Sequence, residues 1–215
     1  NTIAWSYNLL ADGEKRLLSR LAIFRGGCTL EAAEIVCGDE SPAVVFDELA
    51  SLVDRSLVQR IETADDAVRF VLLAVIHEYA REQLEAGDEL AAMSRRHALF
   101  FAELAERAEV EMRRARQKLW FHLLQTEIDN LRAALAWAVG SDIALGIRII
   151  SGTLLYWHIY GRQDEGILWT QSLLARIDEA PKTQQVRLLR SAAHLVSYRD
   201  NLAAVQLGRQ AVDAA

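Results

Sequence analysis

Four basic side chains lie close together near the middle of the chain and precede two aromatic ones. They occur in the stretch MRRARQKLWF and are Arg113, Arg114, Arg116 and Lys118. Basic residues beside aromatic ones, here Trp120 and Phe121, can bind nucleic acid by pairing with phosphates and stacking on bases. The alternative is a solvated helix end whose charge is balanced by the glutamates upstream, between residues 103 and 111. We favour this alternative.

A second group of aromatic residues lies in the C-terminal third and could line a ligand groove. Its members are Tyr156, Trp157, Tyr160 and Trp169. Their spacing is helical, which is equally typical of the core between packed helices. We therefore favour a core position and keep the groove as the alternative.

Residues that could hold a metal or perform catalysis are scattered along the chain. The histidines are His77, His97, His122, His158 and His194. No two of them lie four residues apart on one helix, and Cys28 and Cys37 match no zinc-ligand pattern. We expect packing histidines, and free thiols in a reducing compartment. Since neither a GxxxxGK[ST] loop nor a nucleophile with its base is present, we predict no enzyme and no cofactor here.

The elements that position these residues begin with an α+β unit at residues 1–88. Three segments with helical apolar spacing come first; Thr29 is the predicted N-cap of the second helix, and Pro42 opens the third. The alternating runs SLVQRI and VRFV then predict a β-hairpin. A fourth helix follows from about Ala74 to Glu85. This order of elements is typical of a winged helix.

The charge of this unit argues against DNA binding. The hairpin turn reads ETADDA, and acids outnumber bases between residues 41 and 71. The acids are Asp47, Glu48, Asp54, Glu62, Asp65 and Asp66, and the bases are Arg55, Arg60 and Arg69. Because carboxylates repel phosphates, we predict a winged helix that packs against protein. The alternative is a DNA-binding winged helix with a helical dimerisation arm.

The rest of the chain has helical spacing throughout. We predict linking helices at residues 89–140 and tetratricopeptide-like repeats at residues 141–215. A shift of 38 residues superposes Gly166 on Ala204 and Trp169 on Leu207, so that small and large residues coincide. Such self-similarity is the signature of a helical repeat, and one pair of helices cannot bury its own apolar face. We therefore expect further repeats beyond the C-terminal end.

The overall composition is that of an ordinary folded protein. The chain has 215 residues, 52% of them apolar, and a net charge of −6, which gives no general attraction to nucleic acid. No apolar run approaches the roughly 18 residues that span a bilayer, and no signal peptide is visible. We expect a cytoplasmic protein with no membrane contact. Because neither end looks native, we expect a fragment of a longer chain.

The opening IAWSYNLLADGEKRLLSRLAIFRGGCTLEAAEIVCG resembles the winged-helix module of bacterial STAND-type (NB-ARC) signalling ATPases of the LuxR/AfsR-like transcriptional regulator family. LASLVDRSLVQ, LLAVIHEYAREQLEA, EIDNLRAALAWAVG and YWHIYGRQDEGILW are similar to later segments of such proteins. The resemblance covers almost the whole chain. Departures from the family pattern include Leu18 in place of phenylalanine, Cys28 in place of an aromatic residue, and Ala74 and Val75 in place of Glu-Thr.

The resemblance implies a regulatory role in a larger protein. The winged helix would pack on a nucleotide-binding domain, outside this chain, that holds ADP or ATP. The repeats would sense a protein or a small-molecule inducer, and DNA would be bound only by domains outside this chain. Relatives place a phosphate-contacting histidine where this sequence has Leu72, Leu73 and Ala74, none of which can bind phosphate. His77, one turn later, is the substitute candidate for sensing the nucleotide.

Overall fold

The chain divides into two compact units, Asn1–Phe100 and Phe101–Ala215. The computed structural model describes residues 2–39, 42–62, 67–197 and 199–215. Within these residues the chain is mainly helical, and its one sheet is a two-stranded hairpin in the first unit. The predicted fold class, a winged helix with one hairpin followed by a helical region, is confirmed.

The first unit places four helices before the hairpin and one after it. The elements are α1 (Thr2–Asn8), α2 (Asp12–Leu21), α3 (Leu30–Cys37), α4 (Pro42–Asp54), β1 (Gln59–Glu62), β2 (Val68–Val71) and α5 (Ala74–Ala86). A long helix, α6 (Leu90–Glu111), begins in the first unit and ends in the second.

The start of α2 corrects the prediction of three helices before the hairpin. The Glu14 carboxylate accepts a hydrogen bond from the Ala11 backbone N–H at 2.8 Å. This bond satisfies a donor that a continuous helix would have used, so α1 and α2 are separate. The buried stripe predicted for this region is present, with Leu17, Leu18 and Phe24 almost fully removed from solvent.

The predicted hairpin and the Thr29 cap are both present. Thr29 Oγ1 accepts from the Ala32 backbone N–H at 3.1 Å, which fixes the start of α3. The strands β1 and β2 are antiparallel, with Gln59 opposite Val71. Cys28 adds a single bridge to Phe70 through two backbone hydrogen bonds of 3.0 and 2.8 Å. A third segment of chain therefore pairs with the hairpin.

The second unit is helical in all its described residues. After the end of α6 it contains α7 (Gln117–Thr126), α8 (Ile128–Ser141), α9 (Ile143–Gly152), α10 (Leu154–Ile159), α11 (Gln163–Leu174), a 3-10 turn (Ile177–Glu179), α12 (Lys182–Val196) and α13 (Asn201–Asp213). The helical spacing of WFHLLQTEIDNLRAALAWAVG is continuous and predicts a single helix, but the structure has two, α7 and α8, with a break at Glu127. There the buried Glu127 carboxylate accepts from Asn130 Nδ2 at 2.7 Å, in the first turn of α8.

Two of the later helices of this unit are related by the 38-residue shift found in the sequence. Helices α11 and α13 begin at Gln163 and Asn201, which are 38 residues apart. A Cβ added to Gly166 would lie 3.1 Å from the Trp157 ring, so α11 approaches α10 closely. Ala204, at the matching position of α13, is buried. Small residues therefore occupy the matching buried positions 166 of α11 and 204 of α13.

Candidate interaction surfaces

Helix α4 occupies the position of the recognition helix, the element that enters the major groove in DNA-binding proteins of this shape. Its sequence, PAVVFDELASLVD, contains Asp47, Glu48 and Asp54 but no lysine or arginine. Asp47 and Asp54 are exposed, and so is Phe46, with 53% of its surface accessible. The exposed face of α4 is therefore acidic and apolar.

The cations nearest to α4 in the sequence are paired or buried. Arg55 lies 3.6 Å from the carboxylate of Glu14, and Arg60 lies 3.6 Å from that of Glu62. Arg69 is only 4% exposed and donates to the Gly27 carbonyl oxygen at 3.0 Å. Asp65 and Asp66, the predicted acids of the hairpin turn, lie outside the described residues. Of the three predicted bases, only Arg55 and Arg60 are exposed.

An apolar groove of about 410 Å³ lies between α3, α4 and β2. Leu30, Phe46, Val53 and Phe70 contribute to its walls, and Asp54 and Arg60 are its charged lining residues. A groove with mainly apolar walls and few polar groups suits an apolar side chain better than a phosphate backbone. Together with the acidic face of α4, it forms the α4 surface.

His77, the nucleotide-sensing candidate, contacts the backbone of its own unit. Its Nε2 atom lies 3.0 Å from the Phe24 carbonyl oxygen. Burial lowers the pKa of His77, and the nearby Arg25 charge lowers it further. The neutral ring therefore donates to this carbonyl, while the side chain borders a cavity of about 270 Å³ that Arg25 and Leu72 also line. A role in nucleotide sensing stays a prediction.

The four predicted basic residues of the second unit differ in their surroundings. Arg113 and Arg114 are in the turn after α6, 4.0 Å from Glu109 and 3.0 Å from Glu111 respectively. Arg116 lines a cleft of about 790 Å³ with Trp120, and that cleft also contains Glu103 and Glu106. Lys118 is exposed on α7. Carboxylates thus surround most of this charge, as the solvated-helix alternative expects.

The predicted aromatic group is divided between core and surface. Tyr156 and Trp157 are fully buried, and the Tyr156 hydroxyl donates to Gln125 Oε1 at 2.7 Å. Tyr160 is 41% exposed, with its ring centre 4.8 Å from that of Tyr156. Trp169 is half-buried on α11. Tyr156 and Trp157 therefore serve the core, and Tyr160 and Trp169 reach the surface.

The first unit also contains a buried, paired charge that the sequence does not predict, on Arg20. Its guanidinium donates to Glu89 Oε2 at 3.0 Å and to the Cys37 carbonyl oxygen at 2.8 Å, and it pairs with Asp39. Hydrogen bonding to Arg20 lowers the pKa of Glu89. These partners are up to 69 residues away in the sequence. The only sign of the cluster in the sequence is that Arg20 lies on the apolar face of α2, beside Leu17 and Leu21. The cluster joins α2, the end of α3 and the start of α6, so its role is structural.

Among the described residues, no group of three or more histidine, cysteine or acidic side chains could hold a metal ion. Both cysteines are buried free thiols, and burial raises the pKa of Cys37 to about 12. None of the described helices combines the length and the apolar character that crossing a bilayer requires.

The arrangement of α2, the Cys28 bridge, α3, α4 and the hairpin is that of a helix-turn-helix followed by a wing. Residues 10–85 match the winged helix-turn-helix domain family. The first unit is therefore a winged helix-turn-helix domain, as the sequence predicts. The family match alone does not extend to the second unit.

Three relatives extend the similarity beyond the winged helix-turn-helix domain. The chain is 36% identical over 179 residues to the Mycobacterium tuberculosis H37Rv protein named "Putative HTH-type transcriptional regulator Rv0890c", covering 80% of this chain and 20% of the relative. The Mycobacterium bovis "Putative HTH-type transcriptional regulator Mb0914c" matches with the same figures. "Uncharacterized protein Rv0894" of M. tuberculosis is 35% identical over 98 residues, 44% of this chain and 25% of that protein.

The chain thus spans about one fifth of the length of the regulators it matches. No solved structure shows a significant match to it. Homology to proteins named as HTH-type transcriptional regulators agrees with the prediction of a regulatory rather than an enzymatic role. The STAND-type, LuxR-like and tetratricopeptide assignments stay predictions.

Proposed function

We propose that this chain is the regulatory part of a transcriptional regulator, in which the winged helix-turn-helix domain docks on protein and the helical second unit senses a signal. The observation that carries the proposal is the α4 surface. The helix in the recognition position presents two exposed carboxylates and an exposed phenylalanine, and it has no cation of its own.

The charges on α4 disfavour contact with a DNA backbone. Winged helices that bind DNA place lysine and arginine against phosphates, and each neutralised phosphate contributes to affinity through released counterions. Asp47 and Asp54 on α4 would instead face the phosphates and repel them. Arg55 is already next to the Glu14 carboxylate, so it would have to give up that partner.

The exposed apolar surface beside α4 also favours a protein partner. Phe46 and the apolar groove beside it remain in water unless another surface covers them. Burying about 100 Å² of apolar surface contributes roughly 2.5 kcal/mol before the costs of association, which makes Phe46 a natural anchor for a protein partner. Following the resemblance to STAND-type ATPases, the proposed partner is the nucleotide-binding domain of the same regulator, with ADP or ATP bound there.

The second unit would act as the sensor in this arrangement. Its paired helices, with the 38-residue relation between α11 and α13, suit a repeat scaffold that presents a binding face. A protein or small-molecule inducer bound there would change how the regulator holds its nucleotide. DNA would be bound by parts of the regulator outside this chain.

Calorimetric titration with the regulator's nucleotide-binding domain, in ADP and in ATP, tests the docking proposal. We expect tighter binding with ADP, and Phe46→Ala should weaken it about tenfold or more, as loss of an interface anchor does. Ile35→Ala is the control, because Ile35 is also about half exposed but lies on α3 outside the groove. Equal affinity of the Phe46 and Ile35 variants would refute the role of the α4 surface.

A second candidate function is DNA binding by the winged helix-turn-helix domain itself, which the family match favours. Fluorescence anisotropy with a duplex of about 30 base pairs at low salt tests it, since phosphate contacts give a steep salt dependence. We expect no binding. Salt-sensitive binding that is lost in Arg55→Glu and Arg60→Glu would establish DNA binding instead. Loss only on charge reversal of residues 113, 114, 116 and 118 would assign it to the basic stretch.

A further inference from the structure

A cleft of about 720 Å³ in the second unit combines unbalanced positive charge with an apolar wall. Helix α12 provides one side, with Arg187, Arg190 and His194 at helical spacing along a single face. The opposite side comes from α9 and α10, and Arg113 from the turn after α6 completes the rim. None of the surfaces described above includes this cleft.

The charges around the cleft do not cancel. Arg187 lies between Glu106, at 3.1 Å, and Glu109, at 2.8 Å. Glu106 also pairs with Arg148 at 2.8 Å, so those two carboxylates are balanced by Arg148 and Arg187. Hydrogen bonds from Arg148 and then Arg187 lower the pKa of Glu106, which stays ionised.

Arg113 and Arg190 supply the excess positive charge. Arg113 reaches only the already paired Glu109, at 4.0 Å and with 63% of its side chain exposed. Among the residues that the structure describes, Arg190 makes no ion pair and no hydrogen bond. Glu109 also lines the cleft, but it already pairs with Arg187. Arg190 without a partner and Arg113 with only this shared carboxylate form a suitable oxyanion site, since each guanidinium can donate two hydrogen bonds.

His194 lies in the same cleft, and nearby positive charges affect its pKa. Its ring centre lies 6.1 Å from that of His158. Burial lowers the pKa of His194, and the charges of His158 and Arg113 lower it further. The ring is therefore neutral near pH 7, and an anion bound beside it would favour protonation.

The wall opposite the cations is apolar, with a small polar floor. Leu154 and Leu155 of α10 line it, Val186 adds an apolar side chain from α12, and the buried Ser191 Oγ lies 3.0 Å from Ser151 Oγ. The volume is within the range of about 300–1,000 Å³ found for small-molecule sites. This combination suits a ligand with one charged end and a short apolar body better than a bare inorganic ion.

We propose that this cleft binds a small organic anion, a carboxylate or phosphate attached to an apolar body of several carbons, with Arg113 and Arg190 pairing with the oxyanion. The further statement that this anion is the signal rests on the sensor role proposed for the second unit. Binding itself can be measured independently of docking by the α4 surface.

Histidine NMR of the 215-residue chain, titrated at low chloride, tests the proposal. The probes are hexanoate, hexyl phosphate, inorganic phosphate and hexanol. We expect hexanoate and hexyl phosphate to shift the His194 ring resonances and to raise its pKa, with inorganic phosphate weaker and hexanol without effect on the pKa. The stronger of the two amphiphiles identifies the preferred oxyanion.

Matched charge variants locate the site. Arg190→Gln should weaken binding of the better probe about tenfold, the loss of one charge-assisted pair. Arg209→Gln, an equal charge change on the exposed face of α13 outside the cleft, should leave it unchanged. Both arginines are exposed, so neither variant should affect folding, which circular dichroism checks.

Three results would overturn the proposal: no anion perturbs His194, hexanol acts as strongly as hexanoate, or the two variants behave alike. Anion binding without docking to a nucleotide-binding domain would keep the cleft and reject the function proposed for the α4 surface. Docking without anion binding would do the reverse.

Discussion

Replacing Gly152 with alanine should destabilise the second unit. Gly152 is the last residue of α9, and a Cβ built there would lie 2.5 Å from the carbonyl carbon and oxygen of Ala105 in α6. Those atoms are backbone, so no side chain can rotate away and the helices must separate. Overpacking of this kind costs about 1–3 kcal/mol. Gly208→Ala, in mid-α13 with open space around it, should instead stabilise by about 0.5–1 kcal/mol.

Tryptophan fluorescence can follow this unit almost alone. Four of the five tryptophans belong to it, and Trp157 is fully buried, whereas Trp5 in the first unit is already 66% exposed. For a unit of this size, Gly152→Ala should lower the melting temperature by about 4–12 °C. Gly208→Ala should raise it by a few degrees.

Gly146 provides an intermediate case between Gly152 and Gly208. A Cβ on Gly146 would meet Leu173 Cδ2 at 2.6 Å, which is the end of a side chain and can move. Gly146→Ala should therefore be less destabilising than Gly152→Ala. If all three alanine variants were equally stable, or if Gly152→Ala were the most stable, close approach of α9 to α6 could not be the reason for the glycine.

Two further predictions concern the winged helix-turn-helix domain. Gly26 and Gly27 both have positive φ, +80° and +83°, but only a Cβ on Gly27 would meet the Phe70 carbonyl oxygen, at 2.5 Å. Gly26→Ala should cost about 1–2 kcal/mol and Gly27→Ala more, measured by hydrogen exchange of the Phe70 amide. Arg20 lowers the pKa of Glu89 in the folded protein. The stability that this pair contributes is therefore fully present above the unfolded pKa of about 4.3, and it is lost as the pH falls through the lower folded pKa. Arg20→Met should flatten this acid limb in urea unfolding and cost about 1.5–3 kcal/mol at neutral pH.

The elements were predictable from the sequence where the apolar period was clear. Helices α2 to α5 and the hairpin follow from spacing, and the Thr29 cap follows from residue type. The breaks at Ala11 and Glu127 do not follow from the sequence because helical spacing continues across both; at Ala11 the Glu14 side chain takes the backbone donor, and at Glu127 no side-chain cap marks the break. Periodicity alone does not show such breaks.

The α4 surface was predictable in charge but not in shape. The absence of cations from α4 is a property of its sequence, and exposure of Asp47 and Asp54 agrees with it. The groove beside Phe46 depends on where β2 packs, which spacing does not determine. The cleft with Arg113 and Arg190 was missed for the same reason, although the three-residue and four-residue steps between Arg187, Arg190 and His194 were a readable sign of one basic helix face.

Docking on protein and binding DNA place opposite demands on the same helix. A DNA-binding α4 would need to lose Asp47 and Asp54 and would still leave Phe46 against a hydrated, charged groove, where its burial gains little. A protein-bound α4 needs no change: apolar burial drives association, and the carboxylates remain at the rim, where they select a basic partner and exclude nucleic acid. A winged helix shape supplies a scaffold for either function, so the chemistry of α4 rather than its fold decides between them.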